Sequence, residues 1–149
     1  MGLKEKLDED LKAAMKAADQ AKLSAIRLLK TSIMNGEIQK NKAFTDEDIF
    51  PLIQTAIKQR KDSFEQYTKG NRPELAEKEA AEVKILEVYL PAQMDEAQVK
   101  ELVDKAIKET GAVSLKDIGK VMGKLMPLVK GKADGGLVNR LVREALTVS

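Results

Sequence analysis

The sequence contains no cysteine, no histidine and no tryptophan. Without cysteine there are no disulfides and no thiolate nucleophile. Without cysteine and histidine together, the usual zinc sites and the Ser-His-Asp arrangement are excluded. Aromatic residues are scarce: Phe44, Phe50, Phe64, Tyr67 and Tyr89 are all there are, so the core must be built from Leu, Ile, Val, Met and Ala. None follows Tyr89, which leaves the C-terminal end without stacking platforms for unpaired bases. The longest uncharged run, Ile49 to Ile57, is far short of the ~20 residues that cross a bilayer. Lys4, Glu5, Lys6 and Asp8 interrupt the first leucines, so no signal-peptide core is expected. These absences point away from a membrane partner and make a cytoplasmic home the expectation.

The 149 residues carry 26 Lys and Arg against 24 Asp and Glu, a net charge of +2 that hides an asymmetry. Residues 111–149 hold seven basic and three acidic side chains, a balance of +4, whereas residues 1–110 hold nineteen and twenty-one, a balance of −2. The base-rich end is the C-terminal third, although +4 is modest beside polybasic binders.

The hydrophobic spacing is helical throughout. Leu3, Leu7, Leu11, Ala14 and Ala18 form one stripe. Asp19 is placed to cap a second helix, with Leu23, Ile26, Lys30 and Ile33 on its stripe and Arg27, Met34 and Ile38 beside it. A third helix carries Ile49, Ile53, Ile57, Phe64 and Tyr67. If Asp48 caps it, Pro51 falls harmlessly in the first turn; if Thr45 does, Pro51 lies inside and should bend it. Gly70 ends this helix, and Asn71 with Glu74 resembles a capping box for a fourth, acidic one that stops at Leu90-Pro91. Beyond the prolyl segment, Asp95 with Gln98 and Ser114 with Asp117 repeat the box, with staples at Met94/Val99 and Val113/Ile118. Asp134 precedes a last helix. No stretch alternates with period two. The expected class is all-α, about seven helices: an N-terminal four-helix part over 1–90, a C-terminal three-helix part over 94–149, and a short hinge at 91–93.

Glu77, Glu79 and Glu82 are most simply a solvated face. Arg60 lies on the apolar stripe of its helix and Arg27 sits likewise. A guanidinium facing a core needs a carboxylate, which Glu37, Glu65 or the acidic fourth helix could supply. Both arginines are expected to be scaffold residues. Lys116, Lys120 and Lys124 recur every four residues and line one helical face. Gly119 and Gly123 lie on an adjacent face and permit close approach by a helix or a ligand. Lys130 and Lys132 flank Gly131 just before a helix N-terminus, and Arg140 and Arg143 follow. Two readings stay open: a footprint for a phosphate backbone, or an exposed lysine face with a glycine turn and Asp134 as a plain cap. A carboxylate at Asp134 would repel a phosphate set directly on that helix end. No residue pattern implies a metal, a cofactor or a catalytic group.

Three runs together resemble the GatB/YqeY family, specifically its short free-standing YqeY-like members. They are Lys58-Gln-Arg-Lys-Asp-Ser63, Ile85-Leu-Glu-Val-Tyr-Leu-Pro-Ala-Gln93, and Gly119-Lys-Val-Met-Gly123 continuing through Lys130-Gly-Lys-Ala-Asp-Gly135. The resemblance implies an all-helical module like the tail of the GatB subunit of tRNA-dependent amidotransferase, which holds the tRNA body while catalysis happens elsewhere. On that resemblance Lys120, Lys124, Lys130, Gly131 and Lys132 become tRNA contacts. The amidotransferase catalytic domain is absent, so a carbon–nitrogen ligase label using glutamine as amido donor would be inherited without a residue to support it. The expected function is a binding module for tRNA or another structured RNA. The alternative is a protein-docking module for an amidotransferase or tRNA synthetase component.

Overall fold

The computed structural model describes residues 2–147. Among the described residues seven α-helices follow one another: α1 (Leu3–Ala17), α2 (Gln20–Lys40), α3 (Asp46–Lys69), α4 (Pro73–Glu87), α5 (Glu96–Thr110), α6 (Ile118–Val129) and α7 (Gly135–Thr147). A single 3-10 turn, Leu115–Asp117, leads into α6. No strand occurs among the described residues. The chain is all-α. It divides into two compact units, one ending at Leu90 and the other beginning at Pro91.

Local chemistry sets the helix ends. The Asp19 carboxylate accepts the Lys22 N–H at the start of α2, and Asn41 closes that helix in the left-handed conformation. Thr45, not Asp48, caps α3: Thr45 and Asp48 form a reciprocal capping box. Pro51 therefore lies inside α3 and leaves the Glu47 carbonyl without its helical donor. The box expected at Asn71/Glu74 does not form. Asn71 instead takes a left-handed turn, φ 58°, and Pro73 opens α4 behind Arg72. Asp95 and Gln98 make the box that opens α5, and Gly111 ends it at φ 69°.

The first unit buries Leu7, Ala25, Ile26, Leu29, Ile33, Ile49, Ile53, Ile57, Val83 and Leu86 around one core, joined by Phe44 and Tyr89. The Tyr89 hydroxyl donates to Asp10, while the Lys6 ammonium stands 5.5 Å from its ring centre. Burial first, and then the Asp10 carboxylate, push the Tyr89 phenol well above its ordinary range. Arg27, Met34 and Ile38, expected beside the apolar stripe of α2, are exposed; Ile38 is 72% accessible. Leu29 and Ala25 take the inward positions, which turns the buried stripe away from Arg27. Phe64 is likewise exposed.

Arg60 does face inward, at 9% accessibility, and the partner is Glu82 of α4, at 5%. Arg60 Nε stands 3.4 Å from Glu82 Oε2, and Nη1 donates to the Ala56 carbonyl at 3.0 Å. Glu82 is thus removed from the solvated acidic face on which its neighbours Glu77 and Glu79 suggested it belonged. Leaving either charge alone in such a place costs ~3–5 kcal/mol, so the two side chains lock α3 and α4 in register.

The second unit buries Val99, Val103, Ala106, Val121, Leu125, Val129, Ala133, Val138, Leu141, Val142 and Leu146. α5, α6 and α7 each give one face to this core. The reciprocal box expected at Ser114/Asp117 does not form: the Ser114 hydroxyl accepts the Lys116 N–H, and the Asp117 carboxylate accepts the Val113 N–H. Val113 itself is exposed, so the Val113/Ile118 staple does not form.

Candidate nucleic-acid interface

The basic residues of the second unit fall into two groups according to what they touch. Lys120 Nζ lies 4.0 Å from Asp117, and Lys124 Nζ lies 2.6 Å from Glu109 of α5. The Lys124 hydrogen bond holds the Glu109 carboxyl below its usual range. Arg140 forks between Glu96 of α5, 2.8 Å, and Glu144, 3.4 Å. Arg143 Nε donates to Asn139 Oδ1 at 2.7 Å. A phosphate approaching these cations must compete with an acceptor already in place. The stripe of α6 is less positive than its sequence.

Among the described residues no carboxylate stands within ion-pair distance of Lys116, Lys130 or Lys132. Lys116 projects from the 3-10 turn and is exposed. Lys130 and Lys132 are half-buried and occupy a tightly bonded loop. The Lys130 N–H ends α6 on the Met126 carbonyl at 2.9 Å, and the Lys132 N–H returns to Val129 at 2.8 Å. Between them Gly131 has φ 77°, a conformation that a side chain would strain. Two further bonds fasten the loop from outside: Gln93 Nε2 donates to the Gly131 carbonyl at 2.8 Å, and the Met94 N–H donates to the Lys132 carbonyl at 2.8 Å. Gln93 Nε2 also reaches the Pro91 carbonyl at 2.8 Å. The loop is held by four backbone and side-chain bonds, with Ala133 anchored in the core beneath it.

Two sequence expectations change. Gly131 is buried with its carbonyl engaged, so it shapes the loop and offers no surface for RNA. Gly119 and Gly123 do not serve packing: a Cβ on either would meet nothing within 4 Å, so no helix approaches them. Gln93 lies within the second unit and is bonded to its loop. Asp134 does stand at the head of α7, its carbonyl accepting the Val138 N–H at 3.1 Å, and a Cβ added at Gly136 would stand 3.2 Å from its carboxylate. Sequence reasoning missed the clasp made by Gln93. Its one signal was a polar side chain closing the Tyr-Leu-Pro-Ala-Gln run at a loop. The Glu109 and Glu96 pairings had no local signal at all.

Seven helices in two units, with a lysine-bearing loop clasped by the chain that follows Pro91, define an all-α protein with a built basic surface and two separate cores. The chain belongs to the family described as Yqey-like protein, whose model matches residues 4–146. Its relatives include proteins named "altered inheritance of mitochondria protein 41, mitochondrial". That of Pyrenophora tritici-repentis is 33% identical over 147 residues, covering 95% of this chain and 79% of the relative. That of Vanderwaltozyma polyspora is 39% identical over 120 residues, covering 75% and 64%. That of Saccharomyces cerevisiae strain YJM789 is 30% identical over 148 residues, covering 93% and 80%. These names overturn the cytoplasmic expectation, since the relatives are called mitochondrial. The argument from cysteine was too coarse: a chain that forms no disulfide is compatible with any compartment.

Proposed function

We propose that the second unit binds structured RNA, tRNA being the RNA that the resemblance to the GatB tail suggests, by its phosphate backbone. The observation that carries this reading is the clasped loop presenting Lys130 and Lys132 with no carboxylate partner among the described residues. A loop whose backbone is already fixed leaves less to order on binding than a mobile tail. Lys116 adds a third cation; Lys120, Lys124 and Arg140 contribute only where phosphate displaces their acidic neighbours, and Arg143 only where it displaces the Asn139 amide oxygen. With no aromatic residue in this unit, recognition is of backbone and shape rather than of unpaired bases.

Fluorescence titration of the full chain with tRNA across salt concentrations tests it. Three phosphate contacts give a log–log salt slope on the order of −2 to −3, and Lys130→Ala/Lys132→Ala flattens it by roughly two contacts. No detectable binding at low salt would sink the proposal. The docking alternative draws on exposed Val113 and Leu115 beside the open Gly119 face. An amidotransferase or synthetase component retained after nuclease treatment, with tRNA binding absent, would favour it. An amidating activity has no residue here to carry it.

A further inference from the structure

The Lys58–Ser63 run belongs to the first unit and plays no part in the RNA proposal. Three of its residues, Gln59, Arg60 and Ser63, line a pocket of about 320 Å³ between α2, α3 and α4, completed by Ser24, Leu28, Lys78, Glu79 and Glu82. That volume lies at the small end of ligand pockets, which begin near 300 Å³. Its lining is polar and contains no aromatic ring, which disfavours a nucleobase.

The pocket contains a charge pair that is only partly satisfied. Arg60 is nine-tenths buried, and its Nε lies out of solvent with no hydrogen-bond acceptor in good geometry, Glu82 being 3.4 Å away. Among the described residues Glu82 makes that ion pair and no other polar contact. A buried donor left this way carries a desolvation cost that an incoming acceptor would relieve. A buried carboxylate equally favours an incoming N–H. The lining also has two cations, Arg60 and Lys78, set against two anions, Glu79 and Glu82. A simple anion would gain from the first pair and be repelled by the second; a simple cation would meet the reverse. A compact molecule with both signs of charge satisfies all four, with Ser24, Gln59 and Ser63 supplying neutral hydrogen bonds.

We infer that this pocket is a binding site for a small zwitterion of the α-amino-acid type, its carboxylate toward Arg60 and Lys78 and its ammonium toward Glu82 and Glu79. The test is a set of ¹H–¹⁵N spectra of the full chain titrated with the individual free L-amino acids, with acetate and methylamine as singly charged controls. At least one amino acid is expected to give saturable shifts at Ser24, Gln59, Ser63 and Lys78, and the controls none. Arg60→Ala alone risks unfolding, so the decisive variant is Arg60→Met/Glu82→Met, which replaces a buried pair with apolar side chains of similar volume and is expected to keep the fold. Ser63→Ala provides a second, milder variant. The double variant should weaken the ligand at least tenfold and Ser63→Ala severalfold, with tRNA affinity unchanged. No saturable shift for any amino acid at tens of millimolar, or equal binding by the folded double variant, overturns the proposal and leaves the pair as a register lock alone.

Discussion

A methyl group added at Gly36 would lie 2.6 Å and 2.8 Å from two carbons of the buried Phe44 ring, closer than packed carbons ever come. One added at Gly123 would meet nothing within 4 Å. Both glycines sit within helices, so alanine improves each helix intrinsically by about 1 kcal/mol. At Gly36 that gain is opposed by overpacking of ~1–3 kcal/mol, because the Phe44 ring closes the core between α2 and α3 and cannot swing away freely. Gly36→Ala is therefore expected to lower the unfolding free energy read from a urea titration and Gly123→Ala to raise it, by roughly 0.5–1 kcal/mol. A loss of stability in Gly123→Ala would mean that its open face is covered by something in solution.

The helix ends make the folded chain sensitive to acid. Asp48 is held below the usual carboxylate range chiefly by the Thr45 N–H. Asp117 is held down chiefly by the Val113 N–H, and Glu37 by the Lys4 ammonium and then the Phe44 N–H. In the unfolded chain these groups take up protons near pH 4, before their folded counterparts do. Their stabilisation is present above that pH and is lost as pH falls through the lower folded values. Tyr89 acts at the other end: its raised phenol leaves stability intact below about pH 10, and stability declines above it as the unfolded chain ionises first. A plot of thermal midpoint against pH should be flat through neutrality and fall on both sides. Thr45→Ala should cost about 1 kcal/mol and reduce the slope of the acid limb, since Asp48 loses its reciprocal partner. The caps Asp19, Asp95 and Gly111 were legible because each depends on residues within one turn of the chain. The inward turn of α2 was not: it has apolar residues on several sides, and only the neighbouring helices choose Leu29 over Met34. Glu82 could not be told from Glu77 or Glu79, because Arg60 lies 22 positions away. The lysine stripe was visible for the same reason that caps were, as was Asp117 beside Lys120, whereas Glu109, which pairs with Lys124, comes from α5.

Each unit has its own core, and no residue of either buried cluster is shared with the other. A domain of ~60 residues is only marginally stable, and Leu→Ala in a core costs ~2–5 kcal/mol. Leu125→Ala is expected to collapse the dispersed methyl signals of the second unit while those of Ile26, Ile53 and Leu86 persist. Simultaneous loss of both sets would show the two cores to be energetically one. The Gln93–Met94 clasp gives the basic loop a clock. Amides in irregular segments ordinarily exchange with solvent quickly, but the Met94 N–H is committed to the Lys132 carbonyl and can exchange only when the loop lets go. Its deuteration rate therefore reports loop opening directly. RNA that seizes Lys130 and Lys132 should slow that one amide, and Gln93→Ala should speed it, without altering a single charge.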